Sequence, residues 1–157
     1  MLKAPTRQGK QEGGGQYMSE ESKAMARRSG EIIAMGSLDT LEDALAEVYT
    51  DDVIRHEADG DIVGIEGLAQ FASRFRSAHP DLRIKLEDDI AEGDKVVTRW
   101  TASGTHQGEL MGIAPTGSQV TVIGITIHRI EDGKIVEEWS TWDALGLMQQ
   151  IGAHPSP

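Results

Sequence analysis

The spacing of hydrophobic and polar positions along this chain changes once, near residue 81, and the change separates a helical half from a strand half. Residues 19–35 set Met25, Ile32, Ile33 and Met35 on one stripe behind Ser19 and two glutamates, which predicts a first helix ended by Gly36. Leu38, Leu41, Leu45 and Val48 recur at three and four residues and predict a second helix to about Tyr49, with Thr40 and Asp43 at the spacing of a capping box. A short extended piece over 53–56 and a glycine-marked turn follow. Ile65, Leu68, Ala69, Phe71, Ala72 and Phe75 then form a third helical stripe, and Pro80 stops it.

Beyond residue 81, Leu82, Ile84 and Leu86 alternate with charged residues, the mark of a half-buried strand. Glu92-Gly93-Asp94, Pro115-Thr116-Gly117 and Glu131-Asp132-Gly133 introduce three more strands, expected over 95–106, 120–130 and 134–142. Residues 143–151 predict a last short helix or coil segment. Helices first and an antiparallel meander afterwards is the layout of an α+β domain, with helices covering one face of a curved sheet.

Composition narrows the class. The chain has 157 residues, enough for one domain with a single core, and no apolar run long enough to span a bilayer. A soluble, cytoplasmic protein is expected. It contains no cysteine, which excludes disulfides, thiolate metal sites and cysteine nucleophiles. Fifteen basic residues face 26 acidic ones, a net charge of -11, and such a surface repels nucleic acid and anionic lipid. Lys3, Arg7 and Lys10 sit in residues 1–17 with one acid, Glu12, so the rest of the chain is more acidic still. Rich in Gly and Gln, that leader is expected to be disordered or a tag, followed by a domain over 18–152 and a tail over 153–157.

The stretches HPDLRI (79–84), IAEGDKVVTRWTASGTHQGELMGIAPTG (90–117) and IHRIEDGKIVEEWSTWDALGLMQQIG (127–152) resemble the SnoaL-like polyketide and ester cyclases of the nuclear transport factor 2-like superfamily. The resemblance spans about 130 residues as an ordered succession of motifs. It implies a cone-shaped α+β barrel in which three N-terminal helices pack on a strongly bent, mixed or antiparallel sheet around a pocket. It also implies an intramolecular aldol condensation without metal or cofactor, on a small apolar or aromatic, polyketide-like substrate. One fold hosts many activities, so an isomerase resembling ketosteroid isomerase and a non-catalytic small-ligand binder stay open beside the cyclase.

Such chemistry asks for one base in a mostly apolar cavity and for donors that meet charge developing on oxygen. By motif the resemblance assigns the base to Asp143, which follows Trp139 and Trp142; capping of the segment 144–151 explains an aspartate there too. It assigns His128 as a donor to substrate oxygen. Alternation puts His128 opposite Ile125 and Ile127 without deciding which face lines the pocket. His106 in GTHQG, His56 in VIRHEADG, and Trp100, Trp139 and Trp142 are the expected substrate-binding residues. Arg99 is expected on the outer face of the sheet.

Glu137 and Glu138, adjacent on a strand, point to opposite faces and cannot share one ion, and the five histidines lack zinc spacing, so no metal site is expected. Threonine at Thr101, where an epoxide hydrolase of the superfamily would carry an aspartate, argues against epoxide opening. A ketosteroid isomerase-like oxyanion site needs a tyrosine, and the domain offers only Tyr49, expected on a helix. Val120, Val122, Ile123, Ile125 and Ile127 make one strand apolar on both faces, which predicts a homodimer or higher homo-oligomer through the sheet.

Overall fold

A computed structural model of the chain describes residues 12–153, with side chains from residue 19 onward. Helix α1 spans Glu12–Met35 and so begins upstream of Ser19, inside the segment expected as a leader; residues 1–11 of that leader and 154–157 of the tail lie outside the described residues. A 3-10 turn at Leu38–Thr40 runs directly into α2, Leu41–Val48. Thr40 therefore ends a turn and makes no side-chain cap bond, contrary to the capping box expected there.

Strand β1 (Tyr49–Glu57) and the short β2 (Gly60–Val63) form a hairpin before α3, Gly64–Ala78. β2 corresponds to the turn expected from the sequence; three of its four residues are exposed, so it carries no hydrophobic alternation. The strands β3 (Arg83–Glu92), β4 (Lys95–Thr105), β5 (Gln119–Glu131) and β6 (Lys134–Trp142) and the helix α4 (Ala144–Gln150) follow as anticipated. Asp132 and Gly133, at φ 49° and 74°, make the tight turn between β5 and β6 that the Asp-Gly pair announces.

The six strands lie in the order β2-β1-β6-β5-β4-β3. All neighbours are antiparallel except β1 and β6, which pair in parallel. The sheet is mixed and open, with β2 and β3 as its edges, rather than closed into a barrel. Helix α1 crosses β3, tied by Arg27 and Lys23 to Asp89 at 2.7 and 3.4 Å. Register shifts bend β3 near Leu86, β1 between Tyr49 and Ile54, and β6 between Ile135 and Glu137.

The core has two parts. Ile32, Leu41, Leu45, Leu68 and Val53 pack the three helices on β1, while Val120, Val122, Leu147 and Ile151 pack α4 on β5. Between them the inner face of the sheet stays partly unfilled, and there the candidate site lies.

Candidate functional site

On β5 the alternation resolves in favour of His128. Val120, Val122, Thr126 and His128 are buried, whereas Ile123 and Ile125 are 62% and 43% exposed on the outer face. Cross-strand pairing then stacks the inner face in rungs. One joins Val96, His128, Glu138 and Arg55; the next joins Thr98, Thr126 and Ser140; a third joins Trp100, Gly124 and Trp142.

These rungs floor a cavity of about 120 Å³. Its polar contributors include Arg55, Thr98, Thr126 and His128 at one end, His79 at the end of α3, and Ser29 and Ser103; apolar side chains such as Ile33, Leu86, Trp100 and Val122 supply most of the wall. Phe71, Phe75 and Trp142 line both this cavity and a larger depression on the surface, so the three rings form the threshold between them. Phe75 packs against Phe71 and, edge-on, against Trp142, with centroids 5.0 and 5.7 Å apart.

Gly124 makes room for Trp100. A Cβ at this glycine would stand 2.2 Å from the indole ring, whose Nε1 donates to Thr126 Oγ1 at 3.0 Å. Gly124→Ala is expected to displace Trp100, lower stability by about 1–3 kcal/mol and shift tryptophan emission, as urea melts followed by fluorescence will show.

At the floor, one buried carboxylate organises three side chains. Glu138 Oε1 accepts from Tyr49 Oη at 2.9 Å and lies 2.6 Å from His128 Nδ1; Oε2 accepts from Arg55 Nη1 at 3.0 Å. Arg55 also donates from Nε to Glu57 and from Nη2 to Ser140, at 2.7 and 2.9 Å, and its guanidinium lies 4.9 Å from the centre of the Phe71 ring. Burial alone would push the Glu138 carboxyl up, but the neighbouring His128, Arg55 and Tyr49 outweigh it and hold the pKa down at about 2. Tyr49 moves the other way: burial, then the adjacent carboxylate, raise its phenol and keep it a donor. Burial opposes the charge on Arg55, yet Glu138 and Glu57 raise its pKa further.

An ionised Glu138 only accepts, so in the neutral form of His128 the hydrogen sits on Nδ1 and Nε2 carries the lone pair. Nε2 stands 3.1 Å from Thr98 Oγ1, whose hydroxyl has a second acceptor in Thr126 O at 3.4 Å. Turning that hydroxyl toward Thr126 releases its hydrogen bond to Nε2.

The SnoaL-like polyketide cyclase family model matches residues 23–151, from α1 to the end of α4. The chain belongs to the SnoaL-like polyketide cyclases. Among solved structures, a candidate polyketide cyclase of Bacillus cereus is 29% identical, with a TM-score of 0.75 over 89% of this chain and 86% of that one. AclR, a candidate hydroxylase of Streptomyces galilaeus, is 27% identical, with a TM-score of 0.75 over 88% and 85%. IdmH, a candidate polyketide cyclase of Streptomyces antibioticus, is 27% identical, with a TM-score of 0.71 over 83% and 98%. No curated protein sequence matches the chain significantly.

Within this SnoaL-like frame, the expected site residues separate. His128, Trp100 and Trp142 line the cavity. Asp143 does not: it is the N-cap of α4, its Oδ1 accepts from Gly146 N at 2.8 Å, and the residue is exposed. With Oδ1 engaged in the cap, Asp143 stands outside the cavity lining, apart from the role of base that the motif implies for it. His56 and Trp139 stack on each other, 5.5 Å between centroids, away from the cavity lining. His56 bridges Asp61 and Glu137 at 2.8 and 2.9 Å, and those two partners raise its pKa. His106 is fully buried behind the cavity wall against His79. Arg99 lies exposed on the outer face as expected.

Glu137 and Glu138 do face opposite ways, and among the described residues no group of three or more His, Asp or Glu side chains is arranged to hold a metal ion. Tyr49, Arg55 and Glu138 are the site residues that sequence reasoning missed as such. Tyr49 opens β1 instead of closing a helix, and the bulge of β6 sends Glu138 inward beside Ser140. The available signal was a lone arginine in β1 and a glutamate pair in β6, charges on strands that a buried face tolerates only as partners.

Proposed function

We propose that this protein removes a proton beside a carbonyl and closes a ring by intramolecular aldol addition, with His128 as the base. The observation that carries the reading is the 2.6 Å contact of His128 Nδ1 with the buried Glu138 carboxylate, on the floor of a largely apolar cavity. Nε2 takes the proton from the carbon beside the carbonyl, and Glu138 stabilises the imidazolium. Arg55 lines the cavity with N–H groups beyond the three engaged by Glu57, Glu138 and Ser140, placing positive charge where an enolate oxygen would develop. The enolate carbon attacks a second carbonyl of the same molecule, a carbon–carbon bond forms, and the new alkoxide recovers the proton from His128. Substrate and product are isomers, so no co-reactant is needed.

The substrate class is a small, mainly apolar molecule with two carbonyls, and a cytoplasmic location belongs to the same reading. Incubation with aryl 1,5-diketone methyl esters, followed by NMR, tests it: a ring-closed isomer should accumulate, whereas tight binding without conversion would favour a pocket that only binds. Assembly through the sheet is proposed on the exposure of Ile123 and Ile125 on its outer face. Light scattering should give at least the dimer mass, and a monomer at every concentration would remove this proposal.

A further inference from the structure

Two imidazoles beside the cavity each keep one nitrogen without a partner. His79 precedes Pro80, which turns its backbone out of the helix to φ -133° and ψ 81°, and the ring then lines the cavity at 3% exposure. Its Nδ1 is 3.0 Å from the carbonyl of Phe75, which can only accept, so Nδ1 carries the hydrogen. Burial, with a smaller effect from His106, lowers the His79 pKa, and Nε2 is left a bare acceptor with no partner.

His106 is arranged the opposite way. Its Nδ1 accepts from the Thr116 amide at 3.3 Å, so Nε2 carries the hydrogen, and that buried donor is also unpaired. The two rings lie 5.9 Å apart, tilted by 36°. Of the two rings only His79 lines the cavity, so the free acceptor there suits a ligand hydroxyl that donates to it, with His106 packed behind. A buried polar nitrogen without a partner is costly, and a ligand that satisfies it recovers much of that cost.

We propose that His79, backed by His106, is the receptor for a hydroxyl on the substrate at the end remote from the reacting carbonyl. His79 Cβ packs on Gly104 near the end of β4, whereas His128 pairs with Val96 near its start, so the two polar groups stand at opposite ends of the cavity. The assignment deepens the proposed function: it narrows the substrate to a ring-bearing apolar molecule with a distal phenol or alcohol. His79 is then a specificity residue, distinct from the base.

Calorimetric titration of the full chain with 2-naphthol and with its methyl ether, 2-methoxynaphthalene, separates hydroxyl recognition from turnover. Wild type should bind the naphthol about three- to tenfold more tightly, the worth of one neutral hydrogen bond. His79→Phe should abolish the preference while still binding the ether, and His79→Gln, which retains an acceptor, should keep part of it. His128→Gln should leave the preference intact, so failure of the base assignment and failure of this one read differently. A test without any variant is the ¹⁵N resonance of His79 Nε2, which should move with 2-naphthol and stay with the ether. Equal binding of the two probes, binding of neither, an unmoved resonance, or a preference that survives His79→Phe would overturn the proposal.

Discussion

Replacing His128 with glutamine is expected to slow proton removal beside a carbonyl by about a hundredfold or more while the fold persists. The size follows from losing a positioned base. Glutamine keeps a polar, uncharged side chain at this position, and the buried carboxylate keeps Tyr49 and the charge of Arg55 as partners. It has no lone pair basic enough to hold a proton. A loss of activity accompanied by near-native melting would therefore belong to chemistry. Asp143→Asn, by contrast, touches a capping bond on an exposed helix end and should leave the rate within a few-fold of wild type.

The second large effect is on stability, at Glu138. Its side chain is fully buried and receives Tyr49, His128 and Arg55. Glu138→Gln removes the charge opposite a guanidinium that stays charged, and breaking such a pair costs about 3–5 kcal/mol. Glu57 still faces Arg55 at 2.7 Å, which favours the lower end of that range.

The pH dependence has a definite sign. The folded pKa, about 2, is depressed from the usual 4.5, so the native state binds fewer protons there than the unfolded chain. The stabilisation is complete above the ordinary carboxylate range and is lost as pH falls from about 4.5 toward 2. Urea melts across that window should fall more steeply for wild type than for Glu138→Gln. Parallel curves would mean that the carboxylate is not the anchor of the network.

Most of the fold was legible because it is local. Stripes such as Leu41, Leu45 and Val48, and turns such as Asp132-Gly133, state their elements within a few residues. What escaped is nonlocal. β2 is too short and too exposed to carry a pattern, and the parallel pairing of β1 with β6 joins segments about eighty residues apart that no turn announces.

The site divides along the same line. His128 could be singled out on its strand, but with isoleucines opposite and valines beside it either face would serve as core, and only the helices packed on the sheet decide. Glu138 could not be told from Glu137, because the bulge at β6 resets the alternation just before them. Asp143 was credible by motif and by its tryptophan neighbours. The helix that starts at Ala144 takes its carboxylate as a cap, and capping was the competing reading of the same residue.

The central claim is that His128 Nε2, oriented by Glu138, takes a proton from the carbon beside a carbonyl inside the cavity. Deuterium incorporation into 1-tetralone in D2O, followed by NMR with wild type and His128→Gln side by side, tests it without knowledge of the natural substrate. Wild type should speed exchange at the carbon beside the carbonyl well above the buffer rate, and His128→Gln should return it close to that rate. Exchange that is absent in wild type, or undiminished in His128→Gln, would contradict the account.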